Sequence, residues 1–485
     1  MIFIGIDIGT QGIKTIAVTE KGEKISFINK KLTEISNLKE GWKEQNPLEW
    51  EETLKISLKE ISKDIIRQGY KLSEIRAISV DGTSGTILAI DRENTPLMNA
   101  IMYNDSRATG EAEKIKEIAM KFSKKVGYTF NSSFTLPKIL WIKNNLPDIY
   151  SKTTKFVHQT DFIIGILTGI YNITDHSNAL KTGFDLVDYK WPEFIYKDLQ
   201  IDIKKLPDVV KPGSKISTLS KEIAEETGLL KNTIVVAGMT DGCAGQIASG
   251  AVKEGEWNSI LGTTLVIKGI TKDLIIDPKG RVYSHLHPEG LWMPGGASNT
   301  GGECLEKVFP SIDFQRWNQE AEKYLPSSLV IYPLVRKGER FPFIDSDAEG
   351  FIRGYYQNEY ELYLGYLEGV GLIERLCYNV VGSLGASINE KIFVTGGAAK
   401  SELWLKIRAS ILNKKLVVPE ISEPSMGSAI IAASKTFYND IFDAASNMVR
   451  LKKIVEPESK LVKVYDEKYH EFIRLMKEKG YILEE

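Results

Sequence analysis

Two segments of this 485-residue chain follow one plan: Ile6-Asp7-Ile8-Gly9-Thr10-Gln11-Gly12-Ile13-Lys14 near the start, and Ile260-Leu261-Gly262-Thr263-Thr264-Leu265-Val266-Ile267 near the middle. Each is an apolar strand, a tight turn built from Gly and Thr, and a second apolar strand. Such a segment forms a β-hairpin whose tip turns backbone N–H groups and hydroxyls into a small concavity suited to phosphate. Two tips in two halves of a chain predict a duplicated fold gripping one polyphosphate from both sides, which implies an ATP-using enzyme.

The length is too great for one core, so two or three domains are expected. Apolar content of 42%, charged content of 26% and a net charge of −2 are those of an ordinary globular protein. They give no electrostatic reason to expect nucleic acid or an anionic membrane as partner. The three cysteines, Cys243, Cys304 and Cys377, are far apart and odd in number, so no disulfide framework follows and a reducing cytoplasm fits best. The apolar start meets Asp7 after six residues without a basic leader, and reads as a strand rather than a signal peptide. The longest apolar stretch, Phe162 to Ile173, is too short to span a bilayer.

After the first hairpin, over residues 2–18, Asn46, Pro47 and Glu49 predict a capped helix start with a capping-box pattern, and Leu54, Leu58, Ile61 and Ile65 continue at helical spacing. Residues 75–82 read as a strand ending in a glycine turn. The second half repeats this grammar: a hairpin at about 257–270, a helix over 362–384, and a strand at 391–397 ending in Gly396-Gly397. Ile234 to Gly238 reads as a buried strand with Asp241 just past its end. The polar, glycine-bearing stretch 250–256 places a boundary between a domain over 1–250 and one over 251–440. The remaining 441–485 is expected to be a helical tail on the second domain, with an amphipathic helix from Tyr465 to Lys479.

Further segments join the two hairpins in a fixed order: Gly41-Trp42-Lys43-Glu44-Gln45-Asn46-Pro47, Val80-Asp81-Gly82-Thr83-Ser84-Gly85, Tyr103-Asn104-Asp105-Ser106-Arg107, Thr174-Asp175-His176-Ser177-Asn178-Ala179, Gly238-Met239-Thr240-Asp241-Gly242-Cys243-Ala244 and Gly396-Gly397-Ala398-Ala399-Lys400-Ser401. In order and spacing the chain resembles the FGGY family of carbohydrate kinases, over about residues 1–440. The resemblance implies a duplicated α/β fold of the actin-like ATPase (ribonuclease H-like) type, with two domains around a central cleft. It implies transfer of the γ-phosphoryl group of ATP to a sugar hydroxyl.

Read locally, Asp241 is a helix N-cap; the resemblance makes it the catalytic base that an alcohol needs in order to attack phosphorus. Asp7 interrupts an apolar strand at a burial cost, which favours a magnesium-side carboxylate over a turn-stabilising one. Gly9, Thr10 and Gln11 follow as phosphate contacts. Lys14 is either another or a solvated strand residue. Gly262, Thr263 and Thr264 form the second tip. Gly396 and Gly397 allow a nucleotide close to backbone, and the resemblance places adenosine there with Ser401 nearby. The loop 295–302 either flanks the phosphates or is a flexible connection. Thr83, Ser84, Asn104 and Asp105 have the hydrogen-bonding types a polyol needs, and equally those of ordinary turns.

Asp81-Gly82-Thr83-Ser84-Gly85 departs from the Gln-Met-His loop of many xylulose kinases and from the Arg-Glu pair of glycerol kinases. It resembles a branch linked to D-ribulose. The expected reaction is therefore phosphorylation of a terminal hydroxyl of a ketopentose, D-ribulose or D-xylulose, with MgATP. Gluconate, L-ribulose or another polyol is an alternative, as is a non-catalytic sugar-responsive or assembly protein. A homodimer is left open. Asn413 stands where many relatives are acidic, and no role is assigned to it. There is no GxxxxGK[ST] P-loop and no G-x-S-x-G elbow. His285 and His287 lack a third ligand in view. Cys243 is expected to be a small buried filler.

Overall fold

The computed structural model describes residues 1–482. The chain forms two compact units. The first comprises Met1–Val252, His285–Gly290 and Ile421–Arg450; the second comprises Lys253–Ser284, Leu291–Glu420 and the chain from Leu451 onward. The first unit is thus assembled from segments far apart in sequence.

Its main sheet contains β1 (Ile2–Gly9), β2 (Gly12–Thr19), β3 (Lys24–Lys31), β4 (Ile75–Gly82), β5 (Lys215–Thr218) and β6 (Ile234–Val236), in the order β3-β2-β1-β4-β6-β5. Strands β3, β2 and β1 are antiparallel, β4 and β6 run parallel to β1, and β5 closes the edge antiparallel. The second unit repeats the pattern with β7 (Trp257–Leu261), β8 (Leu265–Gly269), β9 (Trp292–Ala297), β10 (Lys391–Thr395), β11 (Lys415–Pro419) and β12 (Leu451–Val455). Their order is β9-β8-β7-β10-β11-β12, with the same succession of senses. The sheets show the duplication that residue identity leaves faint.

Local chemistry accounts for the elements around them. Helix α1 (Pro47–Arg67) begins where Asn46 accepts the Leu48 N–H, with Pro47 in the first turn, and it buries Trp50, Leu54, Leu58, Ile61 and Ile65. The expected capping box does not close: the Glu49 carboxylate accepts the Thr33 N–H at 2.8 Å instead, because β3 leaves that amide within reach. Helix α2 is Asp241–Ser249. Helix α3 (Glu359–Ser383) starts three residues before its expected onset, because Asn358 caps it by accepting the Tyr360 and Glu361 N–H groups. Helix α4 (Glu402–Leu412) ends on Asn413 in the left-handed conformation, φ 49°, which gives that residue a structural role. Helix α5 (Pro424–Ser434) returns to the first unit, and α6 (Ser459–Glu478) packs on α4 in the second.

Strand β1 is buried from Ile2 to Ile8, as a strand covered on both faces must be. Helix α5 rides directly on it: a Cβ on Gly5 would sit 1.8 Å from the Ser425 carbonyl oxygen. Glycine at this position lets the late helix reach the first strand, and so places Ser428 beneath the strand ends.

Candidate active site

In the first unit the strand register gathers carboxylates. Asp7 and Asp81 are partners across the parallel β1–β4 pair. The two-residue strand Met239–Thr240 runs beside the end of β4, with Met239 opposite Asp81 and Thr240 opposite Gly82, so Asp241 follows at the next step. The carboxyl ends of adjacent parallel strands are where open α/β sheets place their ligands.

Asp7 is 3% exposed and Asp81 is fully buried. Burial raises the Asp7 pKa despite Lys14, its cross-strand partner, whose Nζ donates to Asp7 Oδ2 at 3.4 Å. Burial, and then the neighbouring charge of Asp7, pushes Asp81 well above the usual carboxylate range. Ser428 Oγ donates to Asp81 Oδ2 at 2.5 Å. Two buried carboxyls side by side cannot both ionise without a cation. Among the described residues no three His, Cys, Asp or Glu side chains converge on a metal site. A pair of hard oxygen donors with excess negative charge fits Mg²⁺, which keeps most of its waters and needs only one or two carboxylates besides phosphate. Sequence reasoning missed Asp81 as a member of this group. The signal was present, since Asp81 is also a carboxylate set in the last residues of an apolar strand, as Asp7 is.

Asp241 is the first residue of α2 and Thr240 is its N-cap, so the capping reading of Asp241 does not hold. Its Oδ1 accepts the Gly242 N–H at 2.6 Å. A Cβ on Gly242 would meet nothing within 4 Å, so the backbone just after Asp241 borders open space. The segment before it is tied down: Asp175 accepts the Ser177 hydroxyl at 2.5 Å, and Ser177 Oγ accepts the Thr240 N–H at 2.9 Å. The Thr174–Ala179 motif therefore anchors the approach to Asp241. Cys243 is fully buried in the same helix.

The four polyol candidates separate. Thr83 is turned inward, its N–H and Oγ1 both donating to Gln159 Oε1 at 3.0 and 2.8 Å. Asp105, 1% exposed, accepts the Lys43 N–H at 2.5 Å and three N–H groups of Arg107 at 2.7–2.9 Å. Both hold their loops rather than present themselves to a ligand. Ser84 Oγ is buried and unpartnered, and Asn104 is exposed. The first hairpin tip, Thr10-Gln11, is also exposed; Gln45 Nε2 donates to the Thr10 carbonyl at 2.7 Å and fixes it.

In the second unit a cavity of about 810 Å³ is lined by Gly262, Thr263, Gly397 and Ser401, and on another side by Asn318 and Tyr363. Gly396, with φ +87°, sits behind it; a Cβ there would come within 2.5 Å of the Leu261 carbonyl oxygen. Gly397 has nothing within 4 Å of a built Cβ and leaves the cavity open. Ser401 N-caps α4 by accepting the Trp404 N–H, and it also accepts the Asn318 amide at 3.1 Å. Tyr363 donates to Asn318 Oδ1 at 2.9 Å. Asn318 is too far along the chain to be linked to Ser401 from sequence.

Of the expected loop 295–302, residues 295–297 belong to β9, paired with β8, and the rest packs on the second tip, so it is not a loose connection. Gly302 N–H donates to the Gly262 carbonyl at 2.8 Å and Glu303 N–H to that of Thr263 at 3.1 Å. Glu339, 4% exposed, holds the loop by accepting Ser298 Oγ at 2.8 Å, Asn299 N–H at 2.6 Å, Thr300 Oγ1 at 3.1 Å and Tyr332 Oη at 3.0 Å. Glu339→Gln turns an amide N–H₂ toward these donors. It is expected to raise KM for ATP several-fold and leave KM for sugar unchanged, with a stability cost of about 1–3 kcal/mol. Equal changes in both KM values would contradict the assignment.

A sheet of one topology in each unit, each with a Gly-Thr hairpin tip, is the duplicated pattern of the actin-like ATPase fold, and the first unit adds buried carboxylates near its strand ends, as a phosphotransferase requires. Residues 2–248 match the N-terminal domain of the FGGY family of carbohydrate kinases, and residues 258–436 match its C-terminal domain. A xylulose kinase of Bacillus subtilis (strain 168) is 28% identical over 477 residues, covering 95% of this chain and 94% of its own length. A gluconokinase of the same organism is 29% identical over 473 residues, covering 92% and 90%. The solved structure of a xylulose kinase from Lactobacillus acidophilus superposes with a TM-score of 0.87 at 21% identity, covering 99% of this chain and 98% of that one. The chain belongs to the FGGY family of carbohydrate kinases; it is an ATP-dependent sugar kinase. No helix among the described residues is long and apolar enough to cross a membrane.

Proposed function

We propose that this kinase phosphorylates a terminal hydroxyl of a ketopentose, D-ribulose or D-xylulose, with Asp241 as general base and MgATP as donor. The observation carrying the reading is the placement of Asp241: the first residue of a helix, one step past the short strand Met239–Thr240 that pairs with the end of β4, where Asp81 lies opposite Asp7 of β1. Asp241 accepts the hydroxyl proton as oxygen attacks the γ-phosphorus. Mg²⁺, held by Asp7, would neutralise phosphate charge. Gly9, Thr10 and Gln11 at the first tip, with Lys14 behind it, and Gly262, Thr263 and Thr264 at the second contact phosphates through N–H and hydroxyl groups. The adenosine lies in the cavity of the second unit against Gly397 and Ser401, with Gly396 shaping the turn. Ser84 and Asn104 contact the sugar, while Thr83 and Asp105 hold their loops. In domain terms the first unit binds sugar and the second binds nucleotide; the expected boundary near 250 is kept, but the expected spans 251–440 and 441–485 are corrected, because residues 285–290 and 421–450 pack in the first unit.

The likeness to a gluconokinase supports a second reading, in which the acceptor is a sugar acid. ADP release from MgATP is the test, with D- and L-ribulose, D- and L-xylulose, gluconate and glycerol as acceptors. Strong stimulation by D-ribulose or D-xylulose supports the proposal. Stimulation by gluconate or L-ribulose alone moves the assignment to that acceptor.

A further inference from the structure

The first unit contains a buried cation with no carboxylate bonded to it. Lys138, on the first turn of the helix Thr135–Asn145, has no exposed surface. Its Nζ donates to three backbone carbonyls: Gly85 at 2.9 Å, Ser133 at 3.3 Å and Tyr103 at 3.4 Å. These belong to three separate loops. Gly85 follows Ser84, Tyr103 precedes Asn104, and Ser133 leads into the helix that carries Lys138 itself. The packing around the ammonium is tight, since a Cβ on Gly85, at φ +99°, would lie 2.2 Å from the Ser133 carbonyl oxygen. The first two loops are further joined where Thr86 Oγ1 accepts the Tyr103 N–H at 3.2 Å.

We propose that Lys138 is a positioning residue of the sugar site, its ammonium bridging the carbonyls of Gly85, Tyr103 and Ser133 so that Ser84 and Asn104 are held at a fixed spacing. The inference rests on the reading that those two residues contact the sugar. Burying an ammonium among neutral carbonyls costs free energy that an apolar side chain of similar length would avoid. Its presence is accounted for by what it arranges. An ammonium has three N–H donors, matched here one to each loop; a neutral amine keeps two and turns a lone pair toward the third carbonyl.

The charges acting on Lys138 are Lys181 and Arg107, which oppose its protonation, and Asp105, which favours it. Burial, as the largest cause, and the charges of Lys181 and Arg107 bring its pKa down to about 7 against the pull of Asp105. Two opposite trends follow. Above that pH the folded chain binds fewer protons here than the unfolded chain, so through this group stability rises with pH. The triple tether weakens over the same range, so sugar affinity falls. A group serving stability alone would not produce the second trend.

The test is the sugar KM and the ATP KM from pH 6 to 9 for the wild type, Lys138→Met and Lys138→Arg, using the acceptor that most stimulates the wild type. The wild type is expected to lose sugar affinity several-fold above about pH 7, with ATP KM flat. Lys138→Met should raise sugar KM at least tenfold at pH 6.5, leave ATP KM within twofold, and show no pH trend in sugar KM. Lys138→Arg keeps its charge throughout and should recover part of the affinity without the alkaline loss. A wild type responsive to sugar but with flat sugar KM across this range overturns the inference, even if Lys138→Met fails to fold. So does a folded Lys138→Met with unchanged sugar KM, or one in which both KM values rise together. A wild type that responds to no acceptor overturns the sugar reading and this inference with it.

Discussion

Asp241→Asn is expected to lower kcat by a factor of about 10²–10⁴, the range for removing a positioned general base. Asparagine keeps the shape and can still accept the Gly242 N–H, so α2 should start at the same residue. Sugar and ATP affinities should therefore change little, and the loss should fall on turnover. This separates Asp241 from Asp7, whose replacement by asparagine would weaken Mg²⁺ binding and raise the Mg²⁺ concentration at which the rate saturates. Steady-state kinetics with saturating MgATP, beside calorimetric binding of the sugar, distinguish the two. An Asp241→Asn enzyme with near-normal kcat would remove Asp241 from the chemistry, and the base would have to be sought elsewhere.

The largest expected effect on stability lies in the second unit. Arg408 on α4 and Glu374 on α3 form a two-point ion pair, Nε to Oε2 at 2.7 Å and Nη2 to Oε1 at 2.8 Å, and neither side chain has exposed surface. Arg408 Nη1 is buried with no hydrogen-bond partner. Removing one member of such a pair strands the other charge in the interior. Glu374→Met or Arg408→Met alone is therefore expected to cost about 3–5 kcal/mol. The double variant leaves no stranded charge and should lose less than either single change. Urea denaturation of the three variants reads this directly. Single variants each costing under about 1 kcal/mol would mean that the pair is solvated. The same helices carry Tyr363 and the Ser401 cap beside the cavity, so the single variants should also weaken ATP binding.

Much of the framework is legible in short windows of sequence because its causes are short-range. Gly-Thr turns between apolar runs give both hairpins. Asn46 and Pro47 give the start of α1, and the 3.6-residue apolar spacing gives α1 and α3. Helix ends are less legible where the deciding group is a cap outside the periodic run, as Asn358 is for α3. The Glu49 capping box failed for a related reason: the Glu49 carboxylate bonds the N–H of Thr33, in the segment just after β3, which no local pattern reveals.

The site divides along the same line. Gly396 could be read from sequence because a strand-ending glycine pair is a local conformational statement. Thr83 and Asp105 had the right chemical types for a polyol, yet Gln159, Lys43 and Arg107 take up their hydrogen-bonding groups, and only the folded chain shows this. Lys138 and Glu339 carry no sequence signal beyond being a lysine and a glutamate; burial and distant partners give them meaning.

By itself the sequence determined the strands, turns and helices, the repeat of one grammar in two halves, and the positions of Asp7 and Asp241 at strand ends, since turn chemistry and apolar periodicity act over a few residues. Tertiary structure decided that Asp81 joins Asp7, that Ser428 from near the far end of the chain bonds to it, and that Lys138 gathers three loops. Each of these depends on strand register and on loss of water around a charge, and both are properties of the packed chain rather than of any segment within it.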